Sequence, residues 1–89
     1  MSARRERTSL RDTAASEIKK ARQLTNVSQT KLAQLLSVSQ PLVSSWECGK
    51  VTPGIDDVAN IETVLNYPQG ELLFRIAYPN NNPNVEART

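Results

Sequence analysis

Apolar side chains recur along most of the chain at intervals of three and four residues, which is the period of an amphipathic α-helix. The first stripe predicts a helix over residues 13–24. Its apolar positions are Leu10, Ala14, Ile18 and Ala21. Segments with the same period follow at residues 29–36, 40–48 and 55–65. A fifth segment, residues 68–78, favours a helix, although its dense apolar run also suits a strand. The pattern predicts an all-α fold of five helices.

The residues between these segments are typical of helix ends. Ser28 and Ser39 precede the second and third segments, where each side chain can accept a hydrogen bond as an N-cap. Pro41 falls in the first turn of the third segment, where its missing N–H costs nothing. Asn26 and Gly49 suit the left-handed conformation that ends a helix. The second and third helices are therefore short and joined by a tight link.

Charge is distributed unevenly along the 89 residues, which are enough for one compact domain. Residues 1–23 contain seven Lys or Arg against three Asp or Glu, a net charge of +4. Residues 51–89 contain five acidic residues against two Arg, a net charge of −3. Such asymmetry favours a face that binds a polyanion, although a solvated basic tail without function would look the same.

Several classes of protein are disfavoured by composition. No apolar run approaches the roughly 18 residues of a membrane span, and no apolar stretch follows the N-terminal arginines as in a secretory signal, so we expect a cytoplasmic protein. The single cysteine, Cys48, allows no internal disulfide, and it is expected to be inert rather than a redox sensor. Without histidine, neither a zinc site nor a histidine-based triad can form. We expect no metal, no cofactor and no enzymatic activity.

Residues 29–48 have the apolar pattern of a helix-turn-helix. Ala33 is small where two helices would cross closely, and Val38 would fill the space under the turn. Val43 and Trp46 would seat the second helix on the core, which explains Trp46 better than base stacking does. The polar residues of that helix fall on its opposite side, free to meet a DNA major groove: Gln40, Ser44 and Ser45. Any small helical bundle has two successive helices, so the spacing alone leaves DNA binding open.

One segment closely resembles the Cro/C1-type repressor family, also called the XRE family: residues 29–50, QTKLAQLLSVSQPLVSSWECGK. The resemblance covers about residues 14–76, and its most specific parts are Ser28-Gln29, Leu32-Ala33 and the run from Val43 to Lys50. It implies a five-helix, lambda-repressor-like DNA-binding domain with the helix-turn-helix at the second and third helices. Two residues depart from the family pattern. Ser37 stands where glycine is usual in the turn, and Cys48 stands where an asparagine-like residue is frequent.

The resemblance also implies roles for individual residues, because the third helix of the family enters the major groove. It assigns base reading to Gln40, Pro41, Ser44 and Ser45, with Gln40 pairing with adenine. It assigns phosphate contacts to Ser28, Gln29, Ser39, Lys50 and Arg22. Arg22 and Glu47 match a partly buried salt bridge that joins the first helix to the end of the third. Ala33 and Trp46 match structural positions of the motif.

The two ends of the chain lack core-forming residues. Residues 1–12 are predicted to form a flexible basic arm that adds affinity for DNA without much specificity. Its cationic residues are Arg4, Arg5, Arg7 and Arg11. Residues 79–89 are predicted to be a disordered tail, which leaves residues 13–78 as the DNA-binding domain.

A lone helix-turn-helix buries too little surface to bind a specific site tightly, so we expect a homodimer on a palindromic DNA operator. The predicted dimer interface comprises Leu72, Phe74, Ile76 and Tyr78. The favoured function is a bacterial or phage transcriptional repressor, acting in the bacterial cytoplasm or a phage-infected host. A Cro-like repressor, an autoregulating antitoxin and a restriction-modification controller remain open. The alternative is an antitoxin or adaptor that mainly binds a protein such as a toxin or RNA polymerase.

Overall fold

The computed structural model describes residues 10–78, which form five α-helices and no strand. These are α1 (Leu10–Leu24), α2 (Gln29–Leu36), α3 (Gln40–Glu47), α4 (Ile55–Leu65) and α5 (Glu71–Ala77). The predicted all-α class is confirmed, and the fifth apolar segment is a helix rather than a strand. None of the helices in this range is long and apolar enough to span a membrane.

The helix boundaries agree with the sequence pattern in the middle of the chain and differ from it towards the ends. α2 and α4 have the predicted bounds, and α3 ends one residue early because Cys48 is its C-cap. α1 begins at Leu10 rather than residue 13, so Arg11, predicted to belong to the flexible arm, lies in the first helical turn. α5 begins only at Glu71. Residues 1–9, with Arg4, Arg5 and Arg7, and the predicted tail, residues 79–89, lie outside the described residues.

The predicted caps form as the local chemistry requires. Ser28 Oγ accepts a hydrogen bond from the Lys31 N–H at 3.0 Å, and Ser39 Oγ accepts one from the Leu42 N–H at 3.3 Å. Asn26 is left-handed after α1, with φ at 59°. Ser37 adopts φ of 60° in the turn, a conformation that costs a residue with a side chain about 1 kcal/mol more than glycine. The motif therefore keeps its turn geometry even where glycine is replaced.

All five helices contribute to one hydrophobic core, whose largest fully buried side chains are Trp46, Ile18, Leu32, Ile61, Leu72 and Val43. Leu10, an apolar position of the first stripe, and Ile55, the first residue of the fourth predicted segment, are exposed instead. Leu72 and Ile76, predicted to lie at the dimer interface, are buried within the chain, at 0% and 5% exposure. Their side chains close the bundle, whereas Phe74 and Tyr78 remain exposed.

A buried carboxylate holds α5 against the rest of the bundle. Glu62 on α4 is 3% exposed, and its Oε1 accepts a hydrogen bond from the Gly70 N–H at 2.9 Å. Its Oε2 accepts from the N–H groups of Leu72 and Leu73, at 2.8 and 3.1 Å. A negative charge is favourable at a helix N-terminus, where backbone donors have no partner within the helix. Since a seven-residue helix is not stable alone, this anchor fixes the position of α5.

Substitution of Glu62 tests this role. We expect Glu62→Gln to lower the free energy of unfolding by about 1–3 kcal/mol, because an amide NH₂ would then face a buried backbone N–H. Urea denaturation followed by circular dichroism measures the change. The matched control is Glu71→Gln on the surface of α5, where loss of the ion pair with Arg75 should cost no more than about 0.5 kcal/mol. Equal losses in the two variants would contradict the anchoring role.

Candidate nucleic-acid interface

The helix-turn-helix is held together beneath its turn. After Leu36 the backbone turns at Ser37, whose N–H donates to the Gln34 carbonyl, while the Val38 N–H donates to the Ala33 carbonyl at 3.0 Å. Ala33 is buried where the sequence requires a small side chain, and Val38 is half-buried against the core. These interactions end α2 and start α3 within three residues. The relative position of the two helices is thus set by backbone bonds and close packing.

α3 has one buried side and one accessible side. Val43 and Trp46 are buried in the core, as predicted, so Trp46 has no face with which to stack on a base. Gln40 and Pro41 are exposed at the N-terminal end of the helix. Ser44 and Ser45 follow on the same helix and are half-buried. The residues assigned to base reading therefore share the helix, and its first turn is the most accessible part.

An ion pair joins α1 to the end of α3. Arg22 Nε lies 2.7 Å from Glu47 Oε2, and Arg22 Nη2 lies 3.0 Å from Glu47 Oε1, a two-point contact. The side chains are only 13% and 2% exposed, respectively. The hydrogen bond to Glu47 raises the pKa of the Arg22 guanidinium above its ordinary value, although burial acts in the opposite direction. The Arg22 guanidinium is thus held in its charged form, and the presence of the pair agrees with the resemblance.

Two glutamine side chains extend this ion pair to the surface. Gln29 Nε2 donates to Glu47 Oε1 at 3.0 Å, and Gln29 Oε1 accepts from Gln40 Nε2 at 2.7 Å. We call Arg22, Glu47, Gln29 and Gln40 the polar chain. The sequence indicated its first pair but not the two glutamine links. No local spacing marks those links, because they join residues 18 and 11 positions apart.

The polar chain determines how Gln40 presents its amide. A carboxylate only accepts hydrogen bonds, so Glu47 draws the Nε2 group of Gln29 towards itself and leaves the Gln29 oxygen for Gln40. Gln40 must then use one N–H to reach Gln29. Its second N–H and its Oε1 are left at the exposed end of α3. One donor beside one acceptor is the pattern that matches N7 and N6 of adenine in the major groove.

The predicted phosphate ligands differ in what they still offer. The hydroxyl oxygens of Ser28 and Ser39 accept the N-cap bonds, which leaves each O–H free to donate. Lys50 is exposed just beyond α3 and forms no ion pair with any residue from 10 to 78. Ser45 Oγ already donates to the Pro41 carbonyl at 3.0 Å, so it can only accept a further bond.

Arg22 and Gln29 form more hydrogen bonds within the protein than the sequence indicated. Arg22 Nη1 donates to the Val27 carbonyl at 2.9 Å, so all three guanidinium nitrogens have partners within the protein. Nη1 and Nη2 each keep one further N–H, so the predicted phosphate contact of Arg22 stays a prediction. Gln29 donates one N–H to Glu47 and accepts a hydrogen bond from Gln40, so one N–H of its amide remains for a phosphate.

Comparison with known proteins agrees with this geometry. Residues 18–72, more than half of the chain, match the family model described as helix-turn-helix. The matched range includes the whole of α2, α3 and α4 and every member of the polar chain. No curated protein and no solved structure shows significant similarity to the chain.

The contribution of the ion pair to stability can be measured by replacing Arg22. We expect Arg22→Ala to lower the free energy of unfolding by about 3 kcal/mol, because the Glu47 carboxylate stays buried without its counter-charge. Chemical denaturation provides the measurement. Arg75→Ala is the matched control, since its ion pair with Glu71 lies on the surface and should contribute no more than about 0.5 kcal/mol. A similarly small loss for Arg22→Ala would show that the pair behaves as a surface pair.

Proposed function

The chain belongs to the Cro/C1-type (XRE) family of helix-turn-helix DNA-binding regulators, and from this premise we propose that it represses transcription as a dimer on a palindromic operator. α3 is the recognition helix in this proposal. The observation that carries it is the amide of Gln40, which the polar chain orients with one donor and one acceptor at the exposed end of α3.

Base reading is proposed for the first turn of α3. A glutamine whose orientation is already fixed loses little conformational freedom on binding, so more of its hydrogen-bond energy remains for discrimination between bases. Pro41 is exposed beside it and offers an apolar surface suited to a thymine methyl group. Ser44 and Ser45 are short and are expected to act through water.

Phosphate binding is proposed for residues that flank the two helices of the motif. The free O–H groups of Ser28 and Ser39 lie at the N-termini of α2 and α3, where backbone donors and the helix dipole favour an anion. Lys50 supplies a cation beyond the other end of α3, and Gln29 supplies one remaining N–H. Such contacts fix the register of the protein on DNA without reading sequence.

Dimer formation is proposed because one recognition helix reads too few base pairs for a specific site. Two copies on a palindrome place their recognition helices about 34 Å apart, one turn of DNA. Occupation of an operator that overlaps a promoter is sufficient to block transcription. Repression therefore needs no chemistry beyond this interface.

The proposal predicts a loss of specificity when Gln40 is removed. Bound sequences are first selected from a random pool of duplexes, which identifies the operator and its symmetry. Gln40→Ala should then weaken binding to this operator by about 1–3 kcal/mol per subunit and relax the preference at one base pair in each half-site, because one two-point adenine contact is lost. Titration against single-base-pair variants of the operator measures both effects.

The control for this experiment is Gln69→Ala, the same chemical change at an exposed position in the loop before α5. It should alter neither affinity nor base preference. Circular dichroism establishes that both variants are folded. Unchanged affinity and preference in Gln40→Ala would exclude α3 as the recognition helix and favour an adaptor that binds a protein partner.

A second prediction separates phosphate contacts from base reading. Lys50→Ala should weaken binding to good and poor operators by a similar factor and lower the slope of log Kd against log salt concentration by about one unit per subunit. Binding isotherms at several salt concentrations provide the slope. Lys19→Ala, an exposed cation on α1, is the matched control and should leave the slope unchanged. A change of base preference in Lys50→Ala would argue against a phosphate role.

A further inference from the structure

An open apolar groove lies outside the helix-turn-helix. It has a volume of about 220 Å³ and is bounded by the start of α1, the residues preceding α4, and α5. Ala14, Val58 and Ile76 form its buried floor, and no residue of α2 or α3 lines it. The groove therefore stays open when α3 is bound to DNA.

The rim of the groove consists of apolar side chains that protrude into solvent. Ile55 is 69% exposed, Leu10 is 56% exposed, and Leu73 on α5 is also exposed. The apolar surface continues along α5, where the rings of Phe74 and Tyr78 are exposed and lie 5.1 Å apart. An apolar patch of this extent on a small domain marks an interaction surface.

The shape of the groove favours a protein face over a small ligand. A small molecule in the groove would leave the protruding parts of Leu10 and Ile55 in water. A second protein surface, in contrast, would cover both the protruding rim residues and the rings of Phe74 and Tyr78 on α5. Ile55 protrudes beside the groove, so a single face of the protein carries both a projecting apolar side chain and a groove that can receive one.

Charges beside the rim make this face complementary to itself. Arg11 follows Leu10 on α1, and Asp56 follows Ile55 at the start of α4. Both side chains are exposed, and neither forms an ion pair with another residue of the described range. In a two-fold dimer the same patch meets itself, so a cation near one rim residue and an anion near the other can pair twice.

We propose that a second copy of this chain covers the groove. Ile55 of each protomer enters the groove of the other, and Arg11 of each faces the partner's Asp56. This inference rests on the proposed dimeric function and names the surface that forms the dimer. Of the four residues that the sequence assigned to the dimer interface, Ile76 lies in the groove floor and Phe74 and Tyr78 lie at its edge, while the fully buried Leu72 is left out.

The first test disrupts the groove rim in the full-length chain. Analytical ultracentrifugation should show a dimer for the wild type and at least about a tenfold weaker dimer for Ile55→Lys, because a buried apolar contact becomes an unpaired charge. Leu24→Lys is the matched control, since Leu24 is 70% exposed at the far end of α1 and does not line the groove. It should leave the dimer unchanged. Circular dichroism establishes that both variants fold.

The second test exchanges the two charges. Arg11→Asp and Asp56→Arg should each weaken the dimer by about threefold to tenfold, since like charges would then meet across the interface. The double variant restores opposite charges in reversed order, and its dimer should return to within about threefold of the wild type. Recovery of this kind requires the two residues to face each other. Additive weakening in the double variant would overturn the proposed pairing.

DNA binding separates failure of this inference from failure of the proposed function. Ile55→Lys should bind a duplex with one half-site as the wild type does, but lose at least about tenfold in affinity for the full palindrome. A wild-type chain that stays monomeric in solution and on the full operator would overturn the groove dimer. A dimer that Ile55→Lys leaves intact would overturn it as well. Either result leaves base reading by Gln40 as a separate question.

Discussion

The buried ion pair between Arg22 and Glu47 is the interaction on which the position of α3 depends. Arg22 joins the end of α3 to α1 and also binds the Val27 carbonyl in the turn before α2. A buried carboxylate is tolerated only when its charge is matched. Displacing α3 from α1 would leave the Glu47 carboxylate buried without its counter-charge, at a large desolvation cost. Val43 and Trp46 hold α3 against the core by packing, while the ion pair fixes the position of the C-terminal end of α3 relative to α1.

The same carboxylate connects the ion pair to the exposed end of α3. Because Glu47 can only accept, it orders Gln29, and Gln29 in turn orders Gln40 at the surface. Gln40, proposed to read a base, is thus connected to the core through three successive hydrogen-bonded contacts. Hydrogen bonds in such a series strengthen one another away from water. A substitution at Glu47 would consequently affect both folding and the orientation of the Gln40 amide, whereas one at Gln40 would remove only the amide proposed to read a base.

The central part of the fold could be predicted because its signals are local. Ser28, Ser39 and Pro41 identify the helix starts from their own chemistry, and the small Ala33 identifies the helix crossing. α1 was predicted to begin three residues too late, at residue 13, although Leu10 already belongs to its apolar stripe. Glu62 was missed because its partners are backbone N–H groups 8 to 11 residues away, which leave no pattern in the sequence. Burial of Leu72 and Ile76 depends on that anchor.

Two buried carboxylates therefore each hold a different helix in place. Glu47 accepts hydrogen bonds from α1 and α2 and positions α3, while Glu62 accepts from the start of α5 and positions that last helix. One of the N–H groups that Glu62 binds belongs to Leu73, a rim residue of the apolar groove. The anchor that completes the core thus also positions the proposed association face. Since that face shares no residue with the polar chain, the proposed base reading and the proposed self-association could be altered independently by substitution.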